Sequence, residues 1–147
     1  MFRSILFVCV GNLCRSPMAE GIFKKMCEES GVRVRVSSAG TDACNLKVPE
    51  EAIRAARIYG ADISEHKPRK LTQEIASDYE AIIAMSSDIA RRAEEIIDHE
   101  IIMTLGDFAR MGDWDIPDPW GKGFEEYLRS ARMINAALEK ILQRYYL

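Results

Sequence analysis

The sequence predicts an α/β fold, a four-stranded parallel sheet with helices on both faces, and three observations carry that prediction. The chain opens on an uninterrupted apolar run with β-branched and aromatic content, Ser4-Ile5-Leu6-Phe7-Val8-Cys9, which suits a strand buried on both faces. Segments of strand and helix character then alternate along the chain. The C-terminal segment keeps a helical period in its apolar residues, Phe124, Tyr127, Leu128, Ala131, Ile134, Leu138, Ile141 and Leu142, as a helix packed on a sheet does. Parallel strands joined by right-handed crossovers open their loops on one edge, where such sheets bind ligands.

The first strand stops at Gly11-Asn12. Ser16-Pro17 then offers an N-cap and a proline for the first helical position, followed by Met18, Ala19, Ile22, Phe23, Met26 and Cys27 at helical spacing, with Gly31 as the stop. Val32-Arg33-Val34-Arg35-Val36 alternates with period two and predicts an edge strand. A second helix is expected over Pro49 to Tyr59, ending at Gly60, with Ala52, Ile53 and Ala56 inward. A buried strand follows at about Tyr79 to Met85. Ser87-Asp88 is placed to cap a third helix with Ile89, Ala90, Ala93 and Ile97 on its face, before a short strand near Ile101 to Met103. From Thr104 to Lys122 glycine, proline and aspartate recur without periodicity, and so long a loop in a compact domain is usually functional. With the edge strand on one side of the first strand and the Tyr79 strand on the other, Cys9 falls at the switch point of the sheet.

At 147 residues, 48% hydrophobic and 29% charged, the chain has the size and mixture of one domain spanning residues 1–147. The longest apolar run, Ile5 to Val10, is too short to cross a bilayer, and Met1-Phe2-Arg3 begins no signal peptide, so a cytoplasmic protein with no membrane partner is expected. In that setting Cys9, Cys14, Cys27 and Cys44 are expected as reduced thiols rather than a disulfide frame. A net charge of −3 and a pI near 5.5 argue against a nucleic-acid partner, whose phosphates call for a basic face. An anionic substrate then needs a local trap.

Cys9-Val10-Gly11-Asn12-Leu13-Cys14-Arg15-Ser16 has the make-up of such a trap, with the spacing C-x5-R-S between a buried strand and a helix N-terminus. Successive backbone N–H groups in a loop of this kind turn inward and, with the positive helix end, form an anion nest. Gly11 and Asn12 tolerate the left-handed backbone this requires. The same field favours a thiolate at Cys9, so no histidine base, metal or cofactor is required. Arg15 supplies a planar fork for two phosphate oxygens, and Ser16 a hydrogen bond to the Cys9 sulfur. The loop lacks the Gly-Lys-Ser/Thr ending of a nucleotide P-loop, and a zinc site from Cys9 and Cys14 lacks a second ligand pair.

A thiolate attacking phosphorus must expel an alkoxide or phenoxide, and protonating that oxygen is worth roughly 10²- to 10⁴-fold. Asp118, in Ile116-Pro117-Asp118-Pro119-Trp120-Gly121, is the candidate acid, with two prolines stiffening the backbone about it; Asp113 and Asp115 are its rivals. Trp114 and Trp120 lie on the same loop and are candidate walls of the cleft. His66 and His99 sit in charged surroundings and are expected to be solvated, as is the basic run His66-Lys67-Pro68-Arg69-Lys70.

The loop Cys9 to Ser16 (C-x4-C-R-S), the Ser38-Ala39-Gly40 triplet and the late Asp118-Pro119 pair resemble the low-molecular-weight protein-tyrosine phosphatases over the whole chain. The resemblance implies the phosphotyrosine-phosphatase-I fold, a Rossmann-like three-layer arrangement, and a phosphorylated protein as substrate. It also implies Cys9 as nucleophile, Arg15 as phosphate clamp, Asp118 as acid, and Asn12 and Ser16 as supports of loop and thiolate. Cys14 resembles a second cysteine able to trap an oxidised nucleophile as a disulfide. Ser86 stands where many members carry aspartate, and Trp120 where another aromatic is usual. Leu13, with Trp120, is expected to wall the substrate pocket; in a bacterial subgroup a threonine at that place goes with phosphoarginine, whereas a bulky aliphatic goes with phosphotyrosine. A protein-arginine phosphatase is the alternative of the same fold. An arsenate reductase would need cysteines beyond Cys44, and a non-catalytic phosphate-binding module would have no use for Asp118. A monomer or weak dimer is the expected state.

Overall fold

The structure, a computed structural model, describes residues 1–147. Its centre is a four-stranded parallel sheet in the order β2-β1-β3-β4, formed by β1 (Ser4–Cys9), β2 (Arg35–Gly40), β3 (Ala81–Ala84) and β4 (Ile102–Thr104). Every residue of β1 is buried, as expected of a central strand with layers on both sides. The chain leaves β1 towards β2 through α1 (Arg15–Ser30), and leaves β3 in the other direction along the sheet through α4 (Ser87–Ile96). Right-handed crossovers in opposite directions put these helices on opposite faces, which makes the top of β1 the switch point.

The long helix α6 (Phe124–Tyr145) packs on α1 and on α2 (Glu50–Ile58). It buries Tyr127, Ala131, Ile134, Ala137, Leu138 and Ile141 at helical spacing, each large aliphatic contributing about 1.5–3 kcal/mol of burial. Two single-turn helices complete the chain, α3 (Gln73–Ala76) and α5 (Leu105–Phe108), capped by the side chains of Thr72 and Thr104. No helix is long and apolar enough to cross a membrane.

Three local expectations change. The edge strand is β2 at Arg35–Gly40 rather than at Val32–Val36. Gly31 closes α1 in a left-handed conformation (φ 68°), which commits the Val32 N–H to Cys27 O at 2.8 Å; the ladder starts only at Arg35, whose N–H donates to Arg3 O. Val32 and Val34 pack against the core from a loop instead. Ser16 does not cap α1, because its hydroxyl faces Cys9; the helix begins at Arg15, and Pro17 is tolerated in the first turn, where its missing N–H has no partner to lose. The cap of α4 is Ser86, not Ser87-Asp88: its hydroxyl accepts from Ile89 N.

Candidate active site

The site grows from the register of β1 on β2, which sets Cys9 beside Gly40. A Cβ at Gly40 would lie 2.5 Å from Val10 O and 2.9 Å from Asn12 N, so only glycine lets the loop after Cys9 fold back over the end of β2. The loop turns at Asn12 (φ 57°), a fully buried side chain whose polar atoms are all used. Its amide nitrogen donates to Ser16 Oγ (2.8 Å) and Ser38 Oγ (2.9 Å), while its Oδ1 accepts from the backbone N–H of Arg69 (3.0 Å). His66 Nε2 lies 3.1 Å from both Asn12 O and Asn12 Oδ1; with two acceptors before it, this nitrogen carries the proton.

Inside the loop the Cys9 sulfur is met by the Asn12 N–H at 3.3 Å and by Ser16 Oγ at 2.9 Å. The N–H groups of Gly11, Leu13 and Cys14 make no hydrogen bond within the chain, and they lead straight into the N-terminus of α1. Unpartnered N–H groups at a helix start are an anion-binding device. Arg15, buried, donates from Nη1 to Ile116 O at 3.0 Å and sets Nη2 3.7 Å from Asp118 Oδ2. The guanidinium therefore joins the loop to the segment bearing the candidate acid.

Asp118 is exposed at the mouth of this site, with Oδ1 accepting from Trp120 N at 3.1 Å. The backbone leading into it is fixed by Ile116 N donating to Met85 O (2.9 Å) and Ser130 Oγ donating to Pro117 O (2.9 Å). Of the rivals, Asp115 is turned to the start of α4, where its Oδ1 accepts from Ser87, and does not line the cleft. Cys9, Val10, Gly11, Leu13, Cys14, Arg15, Asp118 and Trp120 line one cleft of about 250 Å³. Trp114 is elsewhere, its indole N–H bonded to Met133 O. Cys14 is a buried thiol 4.0 Å from Tyr127 Oη, and burial pushes its pKa up to about 12.

Two groups of residues escape a reading of the sequence. Asp42, Cys44 and Leu46 form a further wall of the cleft, a place marked in the sequence only by following Gly40. His66 and Arg69, expected in solvent, are supports of the loop. Burial lowers the His66 pKa against the pull of Glu20, whose Oε1 is 4.0 Å from Nδ1 and accepts from Ser38 Oγ at 2.6 Å. His99 donates from Nε2 to Tyr79 O, at the opposite end of the sheet, while its Nδ1 accepts from Ile101 N.

A family model described as low molecular weight phosphotyrosine protein phosphatase matches residues 4–145. The chain belongs to that family. Low molecular weight protein-tyrosine-phosphatase Etp of Escherichia coli (strain K12) is 33% identical over 149 residues, 97% of this chain and 95% of that protein. A protein-arginine-phosphatase of Bacillus subtilis (strain 168) is 30% identical over 148 residues, 95% of each. A crystal structure of a low molecular weight protein tyrosine phosphatase from T. tengcongensis aligns with a TM-score of 0.89 at 30% identity, over 96% of this chain and 98% of that one. The resemblance carried by Cys9 to Ser16, Ser38-Ala39-Gly40 and Asp118-Pro119 thus holds for this family member along its length.

Proposed function

We propose that this phosphatase hydrolyses phosphotyrosine in proteins through a phosphocysteine at Cys9. The observation that carries the proposal is the sulfur of Cys9, held by the Asn12 N–H and Ser16 Oγ beneath three unpartnered N–H groups. The phosphate seats on those N–H groups and on Arg15, and the sulfur attacks phosphorus as the phenolic oxygen leaves with a proton from Asp118. Water then attacks the phosphocysteine, giving its proton to the Asp118 carboxylate, and the S–P bond breaks to return the thiolate and release inorganic phosphate. Residues 1–147 act in this reading as one catalytic domain, a monomer or weak dimer in the cytoplasm, where four free cysteines stay reduced.

The relative acting on protein arginine raises a second reading, and the cleft speaks for phosphotyrosine. Leu13, Val10, Leu46 and Trp120 offer apolar surface, suited to an aromatic ring more than to a guanidinium. The deciding experiment compares kcat/KM on phosphotyrosine and phosphoarginine peptides for the native chain, Leu13→Thr and Cys9→Ser. Preference for phosphotyrosine, weakened in Leu13→Thr, and no turnover but retained phosphate binding in Cys9→Ser are the expected results. Preference of the native chain for phosphoarginine overturns the substrate assignment, and undiminished turnover in Cys9→Ser overturns the mechanism.

A further inference from the structure

The segment that delivers Asp118 is gripped from three elements, and one grip uses a carboxylate that the reaction leaves idle. Asp115 Oδ1 accepts from the backbone N–H of Ser87 at 3.1 Å and from Ser87 Oγ at 3.2 Å. Ser87 is the first residue of the ten-residue helix α4, next to its cap Ser86. The first N–H groups of a helix have no acceptor within it and carry the positive end of its dipole, so a carboxylate is held there by charge as well as by geometry. One residue further on, Ile116 is clamped on both sides of its peptide, N–H to Met85 O and carbonyl to Arg15 Nη1. Next comes Pro117, its carbonyl held by Ser130 of α6.

Little backbone freedom therefore separates Asp115 from Asp118. Pro117 and Pro119 fix their own φ and restrict the residues before them, Ile116 and Asp118. A segment so stiff passes a displacement at Asp115 on to Asp118 instead of absorbing it. A shift of about 1 Å in a reacting group can cost as much as 10²-fold in rate.

We propose that Asp115 is the positioning residue of the general acid: latched through Ser87 to the start of α4, it sets the Asp118 carboxylate at the leaving oxygen above Cys9. The latch rests on the reading of Asp118 as the acid, and it assigns Asp115, a rival for that role by sequence, a structural duty in the same chemistry. Ser87 is its counterpart on the β3–α4 junction.

The test is kcat/KM on phenyl phosphate, a poor leaving group, and p-nitrophenyl phosphate, a good one, with competitive inhibition by inorganic phosphate as a measure of the intact loop. A misplaced acid penalises the poor leaving group selectively, which a general loss of folded enzyme does not. Asp115→Ala should lower kcat/KM on phenyl phosphate by about threefold to tenfold, the scale of the net contribution of one ordinary hydrogen bond, with little change on p-nitrophenyl phosphate or in phosphate inhibition. Asp115→Asn keeps an acceptor oxygen and should recover most of the loss; Ser87→Ala keeps the backbone donor and should show a smaller, equally selective one. Asp118→Asn, run alongside, separates the two claims. If Asp118→Asn is selective and Asp115→Ala is not, the latch is wrong and the acid stands; if Asp118→Asn is not selective, both fall. Should Asp115→Ala fail to fold, Ser87→Ala decides: a selective loss supports the latch and its absence overturns it.

Discussion

At the scale of single residues, Asn12 has the most to lose. A left-handed backbone costs a non-glycine residue about 1–2 kcal/mol, and here the side chain offsets that cost by bonding Ser16, Ser38, Arg69 and His66 from the buried centre of the loop. Asn12→Ala removes the bonds and keeps the strain; Asn12→Gly removes both. Each should therefore lower kcat about tenfold or more, with alanine the worse, and alanine should cost about 2–4 kcal/mol of stability because the stranded partners have no water to turn to. Paired pNPP kinetics and urea melts check this. Full activity in Asn12→Gly would show that only the backbone turn matters and the side-chain network does not.

Among the elements, the segment from His66 to Lys70 does more than its composition suggests. Arg69 accepts from Gly40 N at its carbonyl (2.9 Å), and Leu71 N donates to Gly40 O (2.8 Å), so this segment bridges to the outer end of β2 and covers the edge beside the loop. The Arg69 side chain spans Ser38 O (3.1 Å) and Ser37 Oγ (2.8 Å). Arg69→Ala is expected to weaken inhibition by inorganic phosphate about threefold to tenfold, with Arg69→Lys a poor substitute for the lost fork; inhibition unchanged within about twofold would show that the loop stands without this support. The same segment marks where the sequence stops being readable. The strand β1 and the helix α6 declare themselves because burial repeats along them, and Cys9, Arg15 and Asp118 because their spacing and flanking prolines are local. His66-Lys67-Pro68-Arg69-Lys70 has no period, and its charges point to solvent; its true position depends on which residues of β2 pair with β1 and on the four hydrogen bonds Asn12 has to complete. Leu46 and Asp42 are hidden for a similar reason, since only the folded path after Gly40 brings them to the cleft. The start of β2 is not legible in the sequence because the closing bond of α1 takes up the Val32 N–H, a choice made by the helix end and not by the alternation of valine and arginine.

For the molecule as a whole, the buried thiols set a limit on the alkaline side. Burial pushes the Cys14 pKa up from 9.0 to about 12 and the Cys27 pKa up from 9.0 to about 11, and raises the phenols of Tyr127 and Tyr146 above their ordinary 10. Each group holds its proton more tightly folded than unfolded, so its contribution to stability is fully present below the unfolded value and is lost as pH rises towards the folded one. Between pH 9 and 10 the thiols lead, because the unfolded phenols still keep most of their protons over that interval, and each thiol can remove at most about 1.4 kcal/mol per pH unit. The unfolding free energy should thus fall from pH 9 upward, as urea melts over a range of pH would show. Cys14→Ser with Cys27→Ala should start from a lower value and decline less steeply between pH 9 and 10, because two of the ionising groups are gone. A slope in that double variant equal to the native one would place the alkaline sensitivity elsewhere, and a native stability unchanged from pH 8 to 11 would mean that the buried thiols ionise in the folded protein as easily as in the unfolded chain.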